Sequence, residues 1–136
     1  MIQQTEISLP KLRRGFHIIT HEIIKSIGEL PENGMVNIFV KHTSAALTIN
    51  ENADSSVLDD FESFMKKLIP EDAAMFSHTL EGADDMPAHI KTSLFGVSLT
   101  LPVSEHKLNL GTWQGIYLCE FRNTPNRRKL VITVYS

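Results

Sequence analysis

Two histidines, His78 and His89, enclose a polar and acidic segment of this chain, and a third, His42, lies among small polar residues. Neutral imidazole is a good ligand for Zn²⁺ and similar ions, and a neighbouring carboxylate can hold its second ring nitrogen. The spacing of His78 and His89 matches no established short metal motif. The residue types therefore favour a metal site, whereas the acidic segment could equally be a solvated loop.

The stretch that contains His42 places polar groups at the ends of two expected strands. The hydroxyls of Thr43 and Ser44 could donate to phosphate oxygens, and the free N–H groups of a helix starting after Asp54 could bind an anion. Ordinary turn and cap chemistry is the alternative, and we prefer it for Asn52 and Asp54. For His42, a functional and a structural role are equally consistent with the sequence.

The only tryptophan, Trp113, lies between two glycines in the segment 111–115. Its broad π face and single N–H donor, together with the amide of Gln114, could form one wall of a pocket for a flat ring. On these five residues alone, a tight turn with a core tryptophan is the simpler interpretation. The segment predicts a binding site only in combination with the histidines.

Several other polar or reactive side chains are expected to be structural. The single cysteine, Cys119, lies in an alternating strand pattern, which predicts a buried and unreactive thiol. Basic residues cluster near the segment 124–126, where a solvated turn is favoured over a diphosphate clamp. They are Arg122, Arg127, Arg128 and Lys129. The other three histidines, His17, His21 and His106, are expected at the surface.

The composition is that of one ordinary domain spanning residues 1–136, with 42% hydrophobic and 21% charged residues. Thirteen basic against sixteen acidic residues give a net charge of −3, so we expect no nucleic-acid partner. The first residues lack the pattern of a signal peptide, and no apolar run reaches the roughly 20 residues that span a bilayer. We therefore expect a cytoplasmic protein with no membrane partner.

The hydrophobic periodicity of the sequence predicts the helices and strands that position these residues. Three helices are expected, at 20–29, 54–68 and 87–95, the second capped by Asp54 and stopped before Pro70. Because strands come in consecutive runs, the fold class is α+β with a mainly antiparallel sheet. Seven strands are expected, at 3–9, 16–19, 35–40, 45–49, 97–103, 116–122 and 129–135.

Motifs in a fixed order extend over nearly the whole chain: the segment 42–54, His78 to His89 with Glu81-Gly82, Leu101-Pro102, and 110–114. This set resembles the YjbQ-type family, also called secondary thiamine-phosphate synthases. The resemblance implies a seven-stranded β-sandwich with two to three helices, assembled as a homotrimer. Residues 84–87 lengthen the acidic loop relative to the form associated with many members.

The activity implied by the resemblance joins hydroxymethylpyrimidine diphosphate to thiazole phosphate and releases diphosphate. Three imidazoles suit Zn²⁺ best, whereas a diphosphate substrate would favour Mg²⁺. On this basis we expect a small phosphorylated molecule as substrate, and the alternatives are a metal-dependent hydrolase or a non-catalytic binding module. Our first hypothesis is a metal-using enzyme whose metal ligands are His42, His78 and His89. In this hypothesis the catalytic residues are Glu51, Glu81 and Gln114, and the substrate-binding residues are Ser44, Asn50, Asp54, Trp113 and Gln114.

Overall fold

A computed structural model describes residues 1–124 and 126–136, so Pro125 of the expected C-terminal turn lies outside the described residues. The helices are α1 (Thr20–Ile27), α2 (Ser55–Leu68) and α3 (Asp85–Phe95). The strands are β1 (Ile2–Ser8), β2 (Gly15–Ile18), β3 (Asn33–Val40), β4 (Ala45–Glu51), β5 (Ser98–Ser104), β6 (Lys107–Leu108), β7 (Gln114–Glu120) and β8 (Lys129–Tyr135).

Two antiparallel sheets form a sandwich, as the α+β expectation requires. The larger has the strand order β1-β8-β3-β5-β6, and the smaller has the order β2-β7-β4. Alternate residues point between the sheets, where Val36, Ile38, Leu47, Leu118 and Ile132 belong to one buried cluster. All seven expected strands are present, and among the described residues the two-residue β6 is the one strand that the sequence pattern did not indicate.

A second apolar layer lies on the other face of the smaller sheet, where α2 and α3 cover it. Phe16, Ala46 and Cys119 from the strands pack there against Ala88 and Phe61 from the helices. Cys119 is fully buried, which confirms the expected core position, and this burial raises the pKa of its thiol. This layer fixes α3 against β4 and so determines where the side chains of α3 are presented.

Helix boundaries follow local chemistry. The Asp54 carboxylate accepts from the Ser56 N–H at 2.9 Å, which confirms the expected cap of α2. The start of α3 differs from the expected Pro87, because the helix already begins at Asp85 with Asp84 before it. Pro87 therefore lies within the first turn, where its missing N–H costs nothing. No helix in the described ranges is long and apolar enough to cross a membrane.

Candidate metal centre

The first turns of α3 bring two of the site residues to one face of the helix. Asp85 and His89 are four residues apart, so they are neighbours on the helix surface. His78 comes from the segment before α3, and its Nε2 lies 2.7 Å from Asp85 Oδ2. The Nε2 of His89 lies 3.1 Å from the same oxygen. One donor atom from each of these three residues falls within 4.8 Å of the others.

Asp85 is held as a carboxylate at the centre of this group. It is 1% exposed, and its Oδ1 accepts from Nη1 of Arg122. Burial acts to raise the pKa of Asp85, but the hydrogen bonds with His78 and His89 and the charge of Arg122 outweigh it, so the pKa lies below its ordinary value. Oδ2 is therefore available as an anionic ligand at neutral pH.

Arg122 also ties the approach to α3 to the end of β7. Its Nε donates to Asp84 Oδ2 at 2.8 Å, and its Nη2 donates to the carbonyl of Glu81 at 2.9 Å. The backbone N–H of Asn123 donates to the same Asp84 oxygen at 2.8 Å. Because Arg122 binds both aspartates, it fixes Asp85 in the orientation that faces the histidines.

Both ring nitrogens of His89 face oxygen acceptors. Nδ1 donates to the carbonyl of Thr43 at 2.8 Å, which places the proton of the neutral ring on Nδ1. The lone pair of Nε2 then faces Asp85 Oδ2, which is itself an acceptor. A metal ion bound between these two atoms would accept a lone pair from each of them.

The donor set fits a divalent metal ion. Two imidazole nitrogens and one carboxylate oxygen are ligands that Zn²⁺, Mn²⁺ and Fe²⁺ accept. Atoms bound to one such ion at about 2.1 Å lie roughly 3.0–3.4 Å apart, close to the 2.7 and 3.1 Å found around Asp85 Oδ2. Three protein ligands leave a coordination position open, as catalytic zinc sites do.

His42 lies apart from this group in the structure. Its Nε2 accepts from the backbone N–H of Lys129 at 2.8 Å, so that nitrogen is occupied. Among the described residues, the group of neighbouring donor atoms consists of His78, Asp85 and His89. Asp85 belongs to this group, and His42, which the sequence indicated, does not. The candidate donor group therefore contains two histidines and one aspartate, since the i, i+4 spacing along α3 places Asp85 next to His89, and the role of His42 as a metal ligand stays a prediction.

Ser44, expected to bind substrate, lies inside the protein next to a buried ion pair. Arg128 and Glu120 are 3% and 0% exposed, and their side chains form two contacts, at 2.7 and 2.5 Å. Nη2 of Arg128 also donates to the Ser44 hydroxyl at 3.0 Å. The expectation of a solvated basic turn is thus wrong for Arg122 and Arg128, which are paired with the carboxylates of Asp84 and Asp85 and of Glu120.

The other expected site residues lie at the opposite end of the smaller sheet. Glu51 pairs with Gln114 at one end of the β4–β7 ladder, whereas Ala45 pairs with Glu120 at the other, about 20 Å away for a seven-residue strand. The Gln114 side chain accepts from the Gly111 N–H at 2.7 Å, and Trp113 is 65% exposed, so it is no core residue. Within one chain, Asn50, Glu51, Trp113 and Gln114 therefore lie far from His78 and His89.

Two residues of the centre were not among the expected ligands. Asp85 was visible in the sequence as an acidic residue four positions before His89, a spacing that places both on one helical face. Arg122 gave no comparable signal, since only the fold brings the end of β7 next to α3. Glu81 takes part through its backbone carbonyl, and its side chain is exposed.

Comparison with known proteins agrees with this architecture. The model of the UPF0047 protein YjbQ-like family matches residues 5–136. The chain belongs to the YjbQ-like UPF0047 family. The UPF0047 protein YjbQ of Salmonella typhimurium is 48% identical over 98% of each chain, and that of Escherichia coli O157:H7 is 42% identical over 98% of each.

Solved structures of this family share the fold. The YjbQ/UPF0047 family protein of Clostridium acetobutylicum has a TM-score of 0.82 and 37% identity, covering 96% of this chain and 98% of its own. A conserved hypothetical protein of Thermus thermophilus has a TM-score of 0.83 and 33% identity, covering 94% and 97%. The names of these YjbQ-like relatives state no activity, so the function has to be argued from the site.

Proposed function

We propose that this YjbQ-like protein is a metal-dependent enzyme acting on a small phosphorylated molecule. The observation that carries the proposal is that one donor atom from each of His78, Asp85 and His89 lies within 4.8 Å of the others, with both histidine Nε2 atoms next to Asp85 Oδ2. Zn²⁺ is the ion that best suits two imidazoles and a carboxylate, and Mg²⁺ would then accompany a diphosphate substrate. We place this activity in the cytoplasm, as the sequence indicates.

Each residue of the centre has a distinct task in the proposal. His78, Asp85 and His89 hold the ion, the Thr43 carbonyl keeps the proton of His89 on Nδ1, and Arg122 orients Asp85. When bound, a divalent ion stabilises negative charge on a phosphoryl oxygen or lowers the pKa of a coordinated water. Arg122 is fully engaged with Asp84, Asp85 and Glu81, so it contributes orientation and leaves the substrate to other groups.

The reaction that we propose first is the one implied by the resemblance, the joining of hydroxymethylpyrimidine diphosphate to thiazole phosphate. Hydrolysis of a small phosphorylated molecule is the second candidate, because three protein ligands leave an open position for water. Glu51, Gln114, Trp113 and Asn50 could serve the same site only from a second subunit. A trimeric module that binds an anion or a metal without turnover is the remaining alternative.

Turnover by the metal-loaded protein tests the first reaction. Purified protein with Zn²⁺ and Mg²⁺ should form thiamine phosphate from the two precursors, and His89→Ala should lower the rate at least about 100-fold because a ligand is lost. His21→Ala, which removes an exposed histidine of α1, should leave the rate unchanged. Product formation would be measured by chromatography.

Three results separate the candidate functions. No thiamine phosphate from folded, metal-loaded protein would reject the synthase reaction, and release of phosphate from phosphate esters would then favour hydrolysis. Saturable binding of phosphate without any product would favour the binding module. Equal metal content in the wild type and in His89→Ala would reject the metal centre itself.

We propose that the protein assembles as a homotrimer through the outer face of the larger sheet. Apolar side chains on that face are exposed in the single chain, among them Ile2 at 65%, Met35 at 50% and Tyr135 at 39%. Light scattering after gel filtration should give three times the mass of one chain. Met35→Asp should lower that mass, whereas Met75→Asp, at an exposed position before α3, should not. A monomeric wild type would reject the trimer.

A further inference from the structure

An open pocket of about 750 Å³ lies beside the candidate metal centre, between the C-terminal half of α3 and the end of β3. This volume is in the range of pockets that bind small molecules. His89 and His42 both line it, and much of the remaining wall is apolar, with Phe39, Val40 and Val97. The pocket thus joins a metal ligand to an apolar surface that could hold the body of a substrate.

The hydrogen bond from Lys129 fixes the tautomer of His42. A backbone N–H donates to Nε2, so the proton of the neutral ring is on Nδ1. Burial lowers the pKa of His42, and the neighbouring Arg128 lowers it further, so the ring is neutral at pH 7. His42 therefore presents Nδ1–H as a donor on a residue that lines the pocket.

The polar part of the wall favours a ligand that accepts hydrogen bonds. None of the described residues that line the pocket is acidic, and the ammonium of Lys41, which also lines it, is paired with Glu6 at 2.6 Å. The lining also includes Thr43 and Ser93, whose hydroxyls can donate hydrogen bonds to a bound molecule.

We propose that this pocket binds a phosphate ester with an apolar ring, and that His42 donates its Nδ1–H to a phosphoryl oxygen. The phosphoryl group lies between His42 and His89, and the ring lies against Phe39 and Val97. The role of the pocket depends on the proposed function, because His89 is both a candidate metal ligand and part of the wall. His42 is then a substrate-binding residue and no metal ligand.

Phenyl phosphate and inorganic phosphate form a probe pair that tests the pocket by calorimetry, with and without Zn²⁺. Phenyl phosphate should bind at least about tenfold more tightly, because its ring buries apolar surface that inorganic phosphate lacks. His42→Gln keeps an oxygen acceptor for the Lys129 N–H but places no donor at the Nδ1 position. It should weaken phenyl phosphate binding about three- to tenfold.

Asparagine at the same position should reverse part of this loss. In His42→Asn the amide nitrogen lies near the position of Nδ1, so a donor is restored although the Lys129 acceptor is removed. If His42 had a purely structural role, His42→Gln would bind phenyl phosphate more tightly than His42→Asn. The ¹⁵N resonance of Nδ1 in the wild type should also shift when phenyl phosphate is added, and an unchanged resonance would contradict the proposed contact.

Metal content separates the failure of this inference from the failure of the proposed function. His42→Gln should bind as much Zn²⁺ as the wild type, and a loss equal to that of His89→Ala would make His42 a ligand and overturn the inference alone. A wild type without metal would reject the proposed function, while phenyl phosphate binding to the metal-free protein still tests the pocket. Equal affinity for phenyl phosphate and phosphate would overturn the ring-binding surface.

Discussion

Replacement of Asp85 by asparagine should reduce the affinity for Zn²⁺ at least about 100-fold. Asp85 Oδ2 is the atom that both His78 and His89 approach, at 2.7 and 3.1 Å. An amide offers a neutral oxygen or a nitrogen donor at that point, so the charge that attracts the ion is lost. Calorimetric titration of chelator-treated protein with Zn²⁺ measures the change, and elemental analysis gives the bound metal.

Asp84→Asn is the matched control for this experiment. Asp84 also binds Arg122, at 2.8 Å, but it contributes no atom to the convergent group. Both variants weaken a contact of Arg122, and only Asp85→Asn removes a ligand. If the Zn²⁺ affinity falls equally in the two variants, the loss comes from the weakened Arg122 contacts, and Asp85 is not a direct metal ligand.

Removal of Arg128 should destabilise the protein by about 3–5 kcal/mol, because it leaves the carboxylate of Glu120 buried without its partner. The pair is closed from solvent on both sides, with 4% and 0% side-chain exposure. The Ser44 hydroxyl would lose its donor in the same variant. Urea denaturation of Arg128→Ala at pH 7 gives the change in the free energy of unfolding.

An exposed ion pair in the same protein provides the comparison. Lys41 and Glu6 are 2.6 Å apart and each is 47% exposed, so Glu6→Gln should leave the free energy of unfolding almost unchanged. If Arg128→Ala does not fold, Arg128→Met combined with Glu120→Leu removes both charges and should recover stability. An effect of Arg128→Ala as small as that of Glu6→Gln would show that water reaches the Glu120 carboxylate.

Most of the fold could be predicted from the sequence because its strands are rich in apolar and β-branched residues and most are bounded by Gly, Pro or Asn. In β7, Ile116 and Leu118 face the core between the sheets, while Cys119 faces the helices. The strand β6 has only two residues and carries no periodicity that a pattern could detect. The pairing of β3 with both β5 and β8 also lies outside what local patterns contain.

The site could be predicted in part. His78 and His89 were found because histidine has few other roles in an acidic segment, and their convergence supports that choice. His42 was grouped with them by residue type alone, and the backbone of Lys129, which the fold brings to it, occupies one of its nitrogens. Trp113 and Glu51 were placed in the same site because sequence order says nothing about which end of a sheet a residue occupies.

The strand order of the larger sheet has a consequence for synthesis of the chain. β8 is the last strand in the chain but lies between β1 and β3, so these two strands have no partner on that side until β8 has been made. Contacts between residues so far apart in sequence slow folding, and open strand edges favour association with other chains. A nascent chain that lacks residues 129–135 therefore leaves the edges of β1 and β3 that face β8 unpaired on the ribosome, and the larger sheet is completed only after these residues have been translated.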